Sequence, residues 1–99
     1  MKTQKKYTLG IIGLGHMGSA IAKGAVTKEY IERYQIAVYD HSEHARKDCA
    51  IEGYTNFSSL HEMVENSHVI LIAVTPQQVE GVLDKLKEET MDVVLSIVT

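Results

Sequence analysis

The chain has 99 residues, of which 44% are apolar and 23% charged, a composition typical of one small folded domain rather than of a disordered segment. Its net charge is −3 and it has no basic block, so nucleic acid and acidic membranes are not expected partners. The single cysteine, Cys49, excludes an intrachain disulfide and agrees with a cytoplasmic location, and no apolar run approaches the ~20 residues of a membrane span.

The first predicted element is a short apolar strand at Tyr7–Ile12, which runs into a glycine-rich turn and then a helical pattern over residues 16–28. A strand, a glycine turn and a helix in this order suit the pyrophosphate of a dinucleotide. Gly13 allows a tight turn, Gly15 lets the backbone approach the phosphates, and Gly18 lets the helix pack closely on the strand.

The start of this first helix is predicted to face the phosphates with its free N–H groups, including that of His16, and with the positive end of its dipole. Apolar and small residues recur along the helix at helical spacing and predict the side that faces the sheet. These residues are Met17, Ala20, Ile21, Gly24 and Ala25.

The rest of the chain alternates predicted strands at residues 36–39, 54–57, 69–74 and 93–98 with predicted helices at about 43–51, 60–66 and 76–88. Capping signals at Ser42, Ser59 and Thr75 mark the helix starts, and Gly53 marks a helix end. The inward faces of the second and fourth helices are predicted at Ala45, Cys49 and Ala50 and at Val79, Val82, Leu83 and Leu86. This order predicts an α/β fold, a Rossmann-like and mostly parallel sheet of about five strands flanked by helices.

Asp40 follows the predicted second strand, about 20 residues after the third glycine of the turn. A carboxylate at that place can accept hydrogen bonds from the adenosine ribose, which favours NAD, and it would repel the 2′-phosphate of NADP. His41, Ser42 and Arg46 follow it and could bind that phosphate if Asp40 turned away. The residues therefore leave NAD and NADP both open, as well as the alternative that Asp40 only opens the loop and caps the next helix.

The central apolar strand ends at Ala73, Val74, Thr75 and Pro76, which are predicted to lie beside the glycine turn. Ligands of open α/β sheets bind beyond the carboxyl ends of the strands, so this backbone should border the nicotinamide ribose and ring. The histidines show no metal-ligand spacing with cysteines or carboxylates, so we predict no metal site. No residue of the chain is assigned a catalytic role.

The segment Gly10–Gly24, G-I-I-G-L-G-H-M-G-S-A-I-A-K-G, resembles the opening of pyrroline-5-carboxylate reductases. V-Y-D-H-S at residues 38–42, N-S-H-V-I-L-I-A-V-T-P-Q at 66–77 and L-S-I-V at 95–98 extend the resemblance over nearly the whole chain. The resemblance implies that NAD(P)H, commonly NADPH, delivers a hydride to a cyclic imine to form L-proline. It implies a pyrophosphate site at Ile12, Gly13, Leu14, Gly15, His16 and Met17, an adenosine contact at Asp40, a nicotinamide site at Ala73, Val74, Thr75 and Pro76, and an approach of Ser59 to the cofactor.

The family usually has lysine where this chain has Thr75. The threonine therefore leaves this chain without a positive charge that the family has near the cofactor. The family also has a second, helical domain that supplies the dimer interface and binds the imine. The resemblance therefore implies that this chain is the N-terminal cofactor-binding part of a homo-oligomeric enzyme, with weak cofactor binding and no turnover by itself. Two other interpretations stay open: the cofactor domain of a 3-hydroxyacid dehydrogenase, whose I-G-L-G-x-M-G opening matches Ile12–Gly18 equally well, and a non-catalytic nucleotide-binding module.

Overall fold

The computed structural model describes residues 6–40, 42–87 and 93–98, with the backbone alone at His16 and in the last of these segments. Strands and helices alternate along it as predicted. The elements are β1 (Tyr7–Ile12), α1 (His16–Thr27), a short 3-10 helix (Arg33–Gln35), β2 (Ile36–Tyr39), α2 (Glu43–Glu52), β3 (Thr55–Asn56), α3 (Leu60–Glu65), β4 (Ser67–Val74), α4 (Pro76–Leu86) and β5 (Val93–Val98).

The predicted bounds of β1, β2 and β5 are confirmed, and those of the other elements differ by one or two residues. β3 is shorter than predicted at both ends, and β4 begins at Ser67 rather than at Val69. The predicted end of the fourth helix, near Glu88, lies outside the described residues. Gly53 ends α2 as predicted, in the left-handed conformation with a φ of 88°.

The described strands form one parallel sheet in the order β3-β2-β1-β4-β5, which confirms the predicted Rossmann-like class. β1 lies in the middle, with Leu9 paired to Ile36 of β2 on one side and to Val69 of β4 on the other. The strand order reverses at β1, so the connections that follow β1 and β4 leave a crevice between them at the carboxyl edge of the sheet.

Neighbouring residues of β1 and of β2 belong to two different cores, one on each face of the sheet. Ile11 and Val38 pack with the buried residues of α1 and α2. Ile12 and Ala37 pack with those of α3 and α4. Coverage on both faces explains why the strands read as nearly continuous apolar runs.

The inward face of α1 is the predicted one only in part, since Ile21 packs against the core. Gly18 and Ala22 are the buried residues of this helix, whereas Met17, Ala20 and Gly24 are exposed. The helix consists largely of small apolar residues, so its sequence does not single out one face. Close packing at Gly18 decides the rotation instead, since that position tolerates no side chain.

Two further predicted core positions are wrong. Ala50 is exposed on α2, and Leu83 of α4 retains 51% of its accessible surface. Successive helical residues are about 100° apart around the helix axis. Val82 and Leu83 therefore lie on opposite sides of Val79. The face of α4 that packs on the sheet is therefore narrower than the predicted stripe.

Cys49 is fully buried, and burial raises the pKa of its thiol from the ordinary 9.0 to about 11. Burial, with a smaller contribution from the charge of Glu52, also raises the pKa of Tyr54. Both groups lose protons more readily in the unfolded chain, so the folded state holds more protons above pH 9. The free energy of unfolding should therefore fall as the pH rises from about 9 to 11, by about 2 to 3 kcal/mol for Cys49.

Urea unfolding at several pH values between about 8 and 10.5 measures this loss. The matched variant is Cys49→Ala, which lacks the thiol and should lose less stability over the same interval. Lysines also titrate in this pH range. The prediction therefore concerns the difference between the two chains in how the free energy of unfolding changes with pH. Identical pH dependence in both would contradict the prediction.

Candidate functional site

The turn after β1 is held against the ends of two neighbouring strands. Gly13 has a φ of 94°, a left-handed conformation that favours glycine, and its N–H donates to the carbonyl of Tyr39 at 3.0 Å. A Cβ on Gly13 would lie 2.6 Å from the carbonyl oxygen of Ala73. The turn therefore sits in the crevice between β2 and β4, where no side chain fits.

The N-terminus of α1 is open. Its N-cap residue, Gly15, has no side chain to accept from the amides of the first turn, and the first turn has no acidic residue. Ser42 and Ser59 do provide such acceptors for α2 and α3, at 3.4 and 3.3 Å. Gly15 is exposed, and among the described residues other than its two chain neighbours no atom lies within 4 Å of the place where its Cβ would be. Amides that the N-cap side chain does not satisfy, at the positive end of a helix dipole, make this a place where an anion can bind.

Gly18 lies beneath the turn, where α1 crosses β1. A Cβ at Gly18 would collide with the carbonyl oxygen of Gly13 and reach the side chains of Ile11 and Ala73 at 3.4 and 3.5 Å. The close packing of helix and strand predicted for this glycine is confirmed, and it keeps the start of α1 against the crevice.

Asp40, at the end of β2, joins two loops. Its Oδ2 accepts from the N–H of Leu14 at 2.8 Å, and its Oδ1 accepts from the N–H of Ser42 at 2.8 Å. The Leu14 amide is thus used within the chain, and the Leu14 side chain is buried. Phosphate contacts by backbone amides of this segment would therefore begin at Gly15.

Two adjoining hollows open at the carboxyl edge of the sheet. The larger, which we call the glycine cleft, follows the turn and the start of α1 and has a volume of about 690 Å³. The smaller, the α4 pocket, lies beside the end of β2 and α4 and has a volume of about 220 Å³. The size of the glycine cleft is that of a small-molecule site, about 300 to 1,000 Å³.

Four residues line both hollows: Gly13, Asp40, Val74 and Gln78. The glycine cleft is further lined by Leu14, Gly15, Met17, Ser42, His44, Ala45, Ala73 and Thr75. The α4 pocket is further lined by Ile12, Tyr39, Leu60, Gly81, Val82 and Lys85. Nine of the residues predicted to bind a cofactor thus line one hollow or the other.

A few predicted residues lie elsewhere. Pro76 begins α4, and Ser59 caps α3 by accepting from the N–H of Glu62 without lining either hollow. The approach of Ser59 to a cofactor stays a prediction. The side chain of His16 and the whole of His41 lie outside the described residues.

Sequence reasoning missed two residues of α4. Gln78 completes the cap of α4 by accepting from the N–H of Thr75 at 3.2 Å, and it also lines both hollows. Lys85 was not singled out, and its Nζ lies 5.9 Å from the centre of the Tyr39 ring, within range of a cation–π interaction. The signal in the sequence is the spacing of residues 78, 82 and 85, which share one helix face.

No three His, Cys, Asp or Glu side chains in the described part of the chain are grouped so that they could hold a metal ion. Within the same residues, every helix is too short or too polar to cross a membrane.

Comparison with protein families matches residues 8–99 to the family described as NADP oxidoreductase, coenzyme F420-dependent. The match includes the glycine turn, Asp40 and the whole described sheet except the first residue of β1. The chain belongs to this oxidoreductase family.

Individual relatives agree with the predicted resemblance. Pyrroline-5-carboxylate reductase of Pisum sativum is 42% identical over 83 residues, which are 82% of this chain and 30% of the pea protein. A pyrroline-5-carboxylate reductase from Coxiella burnetii superimposes with a TM-score of 0.82 at 24% identity, over 96% of this chain and 36% of that one. The Plasmodium falciparum pyrroline carboxylate reductase with NADP bound gives a TM-score of 0.75 at 26% identity, over 97% and 35%. The resemblance is confirmed, and the chain spans about a third of the length of these relatives.

Proposed function

We propose that this chain is the NAD(P)H-binding domain of a pyrroline-5-carboxylate reductase, an enzyme that reduces 1-pyrroline-5-carboxylate to L-proline. The observation that carries the proposal is the open N-terminus of α1 at Gly15, which lines a cleft of about 690 Å³ at the point where the strand order reverses. Relatives that carry this enzyme name, one of them with NADP bound, support the choice among oxidoreductases.

The pyrophosphate would lie over Gly15, against the amides of the first turn of α1. The residues present fit this group, because the space beside Gly15 is open and the first turn of α1 carries no acidic residue. Phosphate charge would complete the hydrogen bonding of a helix end that no side chain caps.

The two ends of the dinucleotide would lie on opposite sides of the turn. β2 and β4 flank β1, so residues at their carboxyl ends border the crevice from its two sides. The adenosine end would extend toward Tyr39 and Lys85 in the α4 pocket, and the nicotinamide end would lie beside Ala73 and Thr75.

When bound, the reduced nicotinamide supplies a hydride to the imine carbon, the imine nitrogen takes up a proton, and the cofactor leaves in its oxidised form. The role of this chain is to bind and orient: backbone at Ala73–Thr75 borders the nicotinamide, and the glycine turn holds the phosphates. We propose that the residues that bind the imine and the contacts of the homo-oligomer lie in the part of the relatives that this chain does not span.

We propose that the site accepts both NADH and NADPH. Asp40 would oppose a 2′-phosphate, but both of its oxygens already accept backbone N–H groups, which partly neutralise its charge. Ser42 and Lys85 line the hollows on either side of it and can approach a 2′-phosphate.

Calorimetric titration of the chain with NADH and with NADPH tests the proposal. We expect weak, saturable binding of one dinucleotide per chain and competition by ADP-ribose, which has the pyrophosphate and adenosine but no nicotinamide. We expect no proline formation from the imine by the chain alone. Failure of both dinucleotides to bind would contradict the cofactor site, and measurable proline formation would contradict the absence of a substrate site.

Gly81→Ala tests the placement of adenosine in the same titration. Gly81 lines the α4 pocket and is exposed on α4, and apart from its neighbours in the helix no described atom lies within 4 Å of the place where its Cβ would be. The variant should gain about 0.5 to 1 kcal/mol of stability from helix propensity and lose about five- to tenfold in affinity for ADP-ribose. Gly24→Ala, an equally open helical glycine away from both hollows, should gain the stability and keep the affinity. Equal affinity of the two variants for ADP-ribose would contradict the placement of adenosine in the α4 pocket.

A further inference from the structure

We infer that Asp40 is a positioning residue: its carboxylate holds the glycine turn in the shape that accepts a pyrophosphate and does not select between NADH and NADPH. The inference rests on the proposed function, since it describes how the same site would bind its cofactor. It differs from one interpretation of the sequence, in which Asp40 contacts the ribose and discriminates against a 2′-phosphate, and it extends another, in which Asp40 only opens the loop and caps the next helix.

The first observation is how the turn is attached to β2. The N–H of Gly13 donates to the carbonyl of Tyr39 at 3.0 Å, and the N–H of Leu14 donates to Oδ2 of Asp40 at 2.8 Å. Two successive amides of the turn are thus held by the last residue of β2 and the residue after it. The second bond is the stronger type, because its acceptor is a charged oxygen.

The second observation is the hydrogen bond that Oδ1, the other carboxylate oxygen of Asp40, accepts. Oδ1 of Asp40 accepts from the N–H of Ser42 at 2.8 Å, and the hydroxyl of Ser42 accepts from the N–H of Ala45 in α2 at 3.4 Å. A continuous chain of hydrogen bonds therefore runs from the glycine turn to the start of α2. Ser42 and Ala45 both line the glycine cleft, so loss of the carboxylate would disturb two of its walls together.

The consequence follows from which part of a dinucleotide lies on the turn. Both oxygens of Asp40 are already engaged with the chain, and the Leu14 amide would have no carboxylate acceptor if that side chain were shortened. The turn would then relax, and the group that rests on it is the pyrophosphate, which NADH and NADPH share. A direct ribose contact predicts the opposite pattern, in which loss of the carboxylate weakens NADH and strengthens NADPH.

The experiment titrates Asp40→Ala and Asp40→Asn with NADH and NADPH. We expect the Kd of Asp40→Ala to rise about tenfold for both dinucleotides, with the ratio of the two Kd values within about threefold of the unmodified chain. Asp40→Asn retains one acceptor oxygen and should recover part of the affinity for both. Asp84→Asn, which removes an exposed carboxylate of α4 that lines neither hollow, controls for net charge.

Hydrogen exchange of the Leu14 amide, followed by NMR without ligand, tests the inference independently of a change in global stability. We expect this amide to exchange faster in Asp40→Ala, relative to the core amides of β1, and to be unchanged in Asp84→Asn. A Kd ratio that moves more than about tenfold toward NADPH, or an unchanged Leu14 exchange rate, would overturn the inference while leaving the cofactor site intact. If the unmodified chain binds neither dinucleotide, the proposed function fails and this inference fails with it.

Discussion

Substitution of Gly15 by alanine should weaken the binding of NADH and NADPH about a hundredfold, or about 2.7 kcal/mol, while the chain remains folded. The backbone of Gly15 is extended, with φ at −93°, and apart from its chain neighbours a Cβ there meets no atom of the described residues within 4 Å. The methyl group therefore fits the protein but projects to the place where the pyrophosphate would approach the backbone. Alanine is a poor N-cap, so we expect up to about 1 kcal/mol of lost stability. Calorimetry measures the first effect and urea unfolding the second.

Two further variants separate the effects at this position. Gly24→Ala adds a methyl group to another exposed glycine of α1 and should leave the affinity unchanged. Gly15→Ser should increase stability by capping α1 and still lower the affinity, because its hydroxyl would satisfy an amide that otherwise faces the phosphates. Unchanged affinity in Gly15→Ala would mean that phosphate does not approach the start of α1.

Substitution of Gly13 by alanine should have the largest effect on folding, a loss of about 3 kcal/mol or more in the free energy of unfolding. A left-handed conformation costs a residue with a Cβ about 1 to 2 kcal/mol. The added Cβ would also lie 2.6 Å from the carbonyl oxygen of Ala73 and 2.8 Å from the side chain of Val74, an overpacking that typically costs about 1 to 3 kcal/mol. In a domain of this size we expect the midpoint of thermal unfolding to fall by roughly 12 °C or more.

Gly53→Ala is the matched control, because Gly53 has a similar φ of 88° but a different environment. Its Cβ would meet only the side chain of Arg33, at 3.5 and 3.8 Å, which is ordinary contact. The control should therefore cost about 1 to 2 kcal/mol, for the backbone conformation alone. Equal losses in the two variants would show that the contact of Gly13 with the end of β4 contributes nothing.

The fold was predictable because its signals are local. Apolar runs identify the strands of a sheet covered on both faces, and residues such as Ser42 and Gly53 mark where helices begin and end. The spacing of Gly13, Gly15 and Gly18 identified the turn for the same reason, since strand, turn and helix are contiguous in the chain.

The faces of the helices were less predictable, because a face depends on what packs against it. In α1 the small residues offered several alternatives, and the contact of Gly18 with the Gly13 carbonyl selected one that leaves Met17 exposed. In α4 the predicted apolar stripe was wider than the face that packs on the sheet, and Leu83 lies outside that face.

The amino-acid sequence determined the strands and helices, their alternation along the chain and the turn where a phosphate would bind. Each of these depends on residues that are near one another in the chain. The tertiary structure decided that Asp40 accepts from the Leu14 amide and that residues of α4 line a hollow beside it, because these depend on contacts between β2, the glycine turn and α4 that are distant in sequence. A carboxylate at the end of a strand can accept from a ribose hydroxyl, from a backbone amide or from both, and only the tertiary structure shows that the Leu14 amide lies beside Asp40.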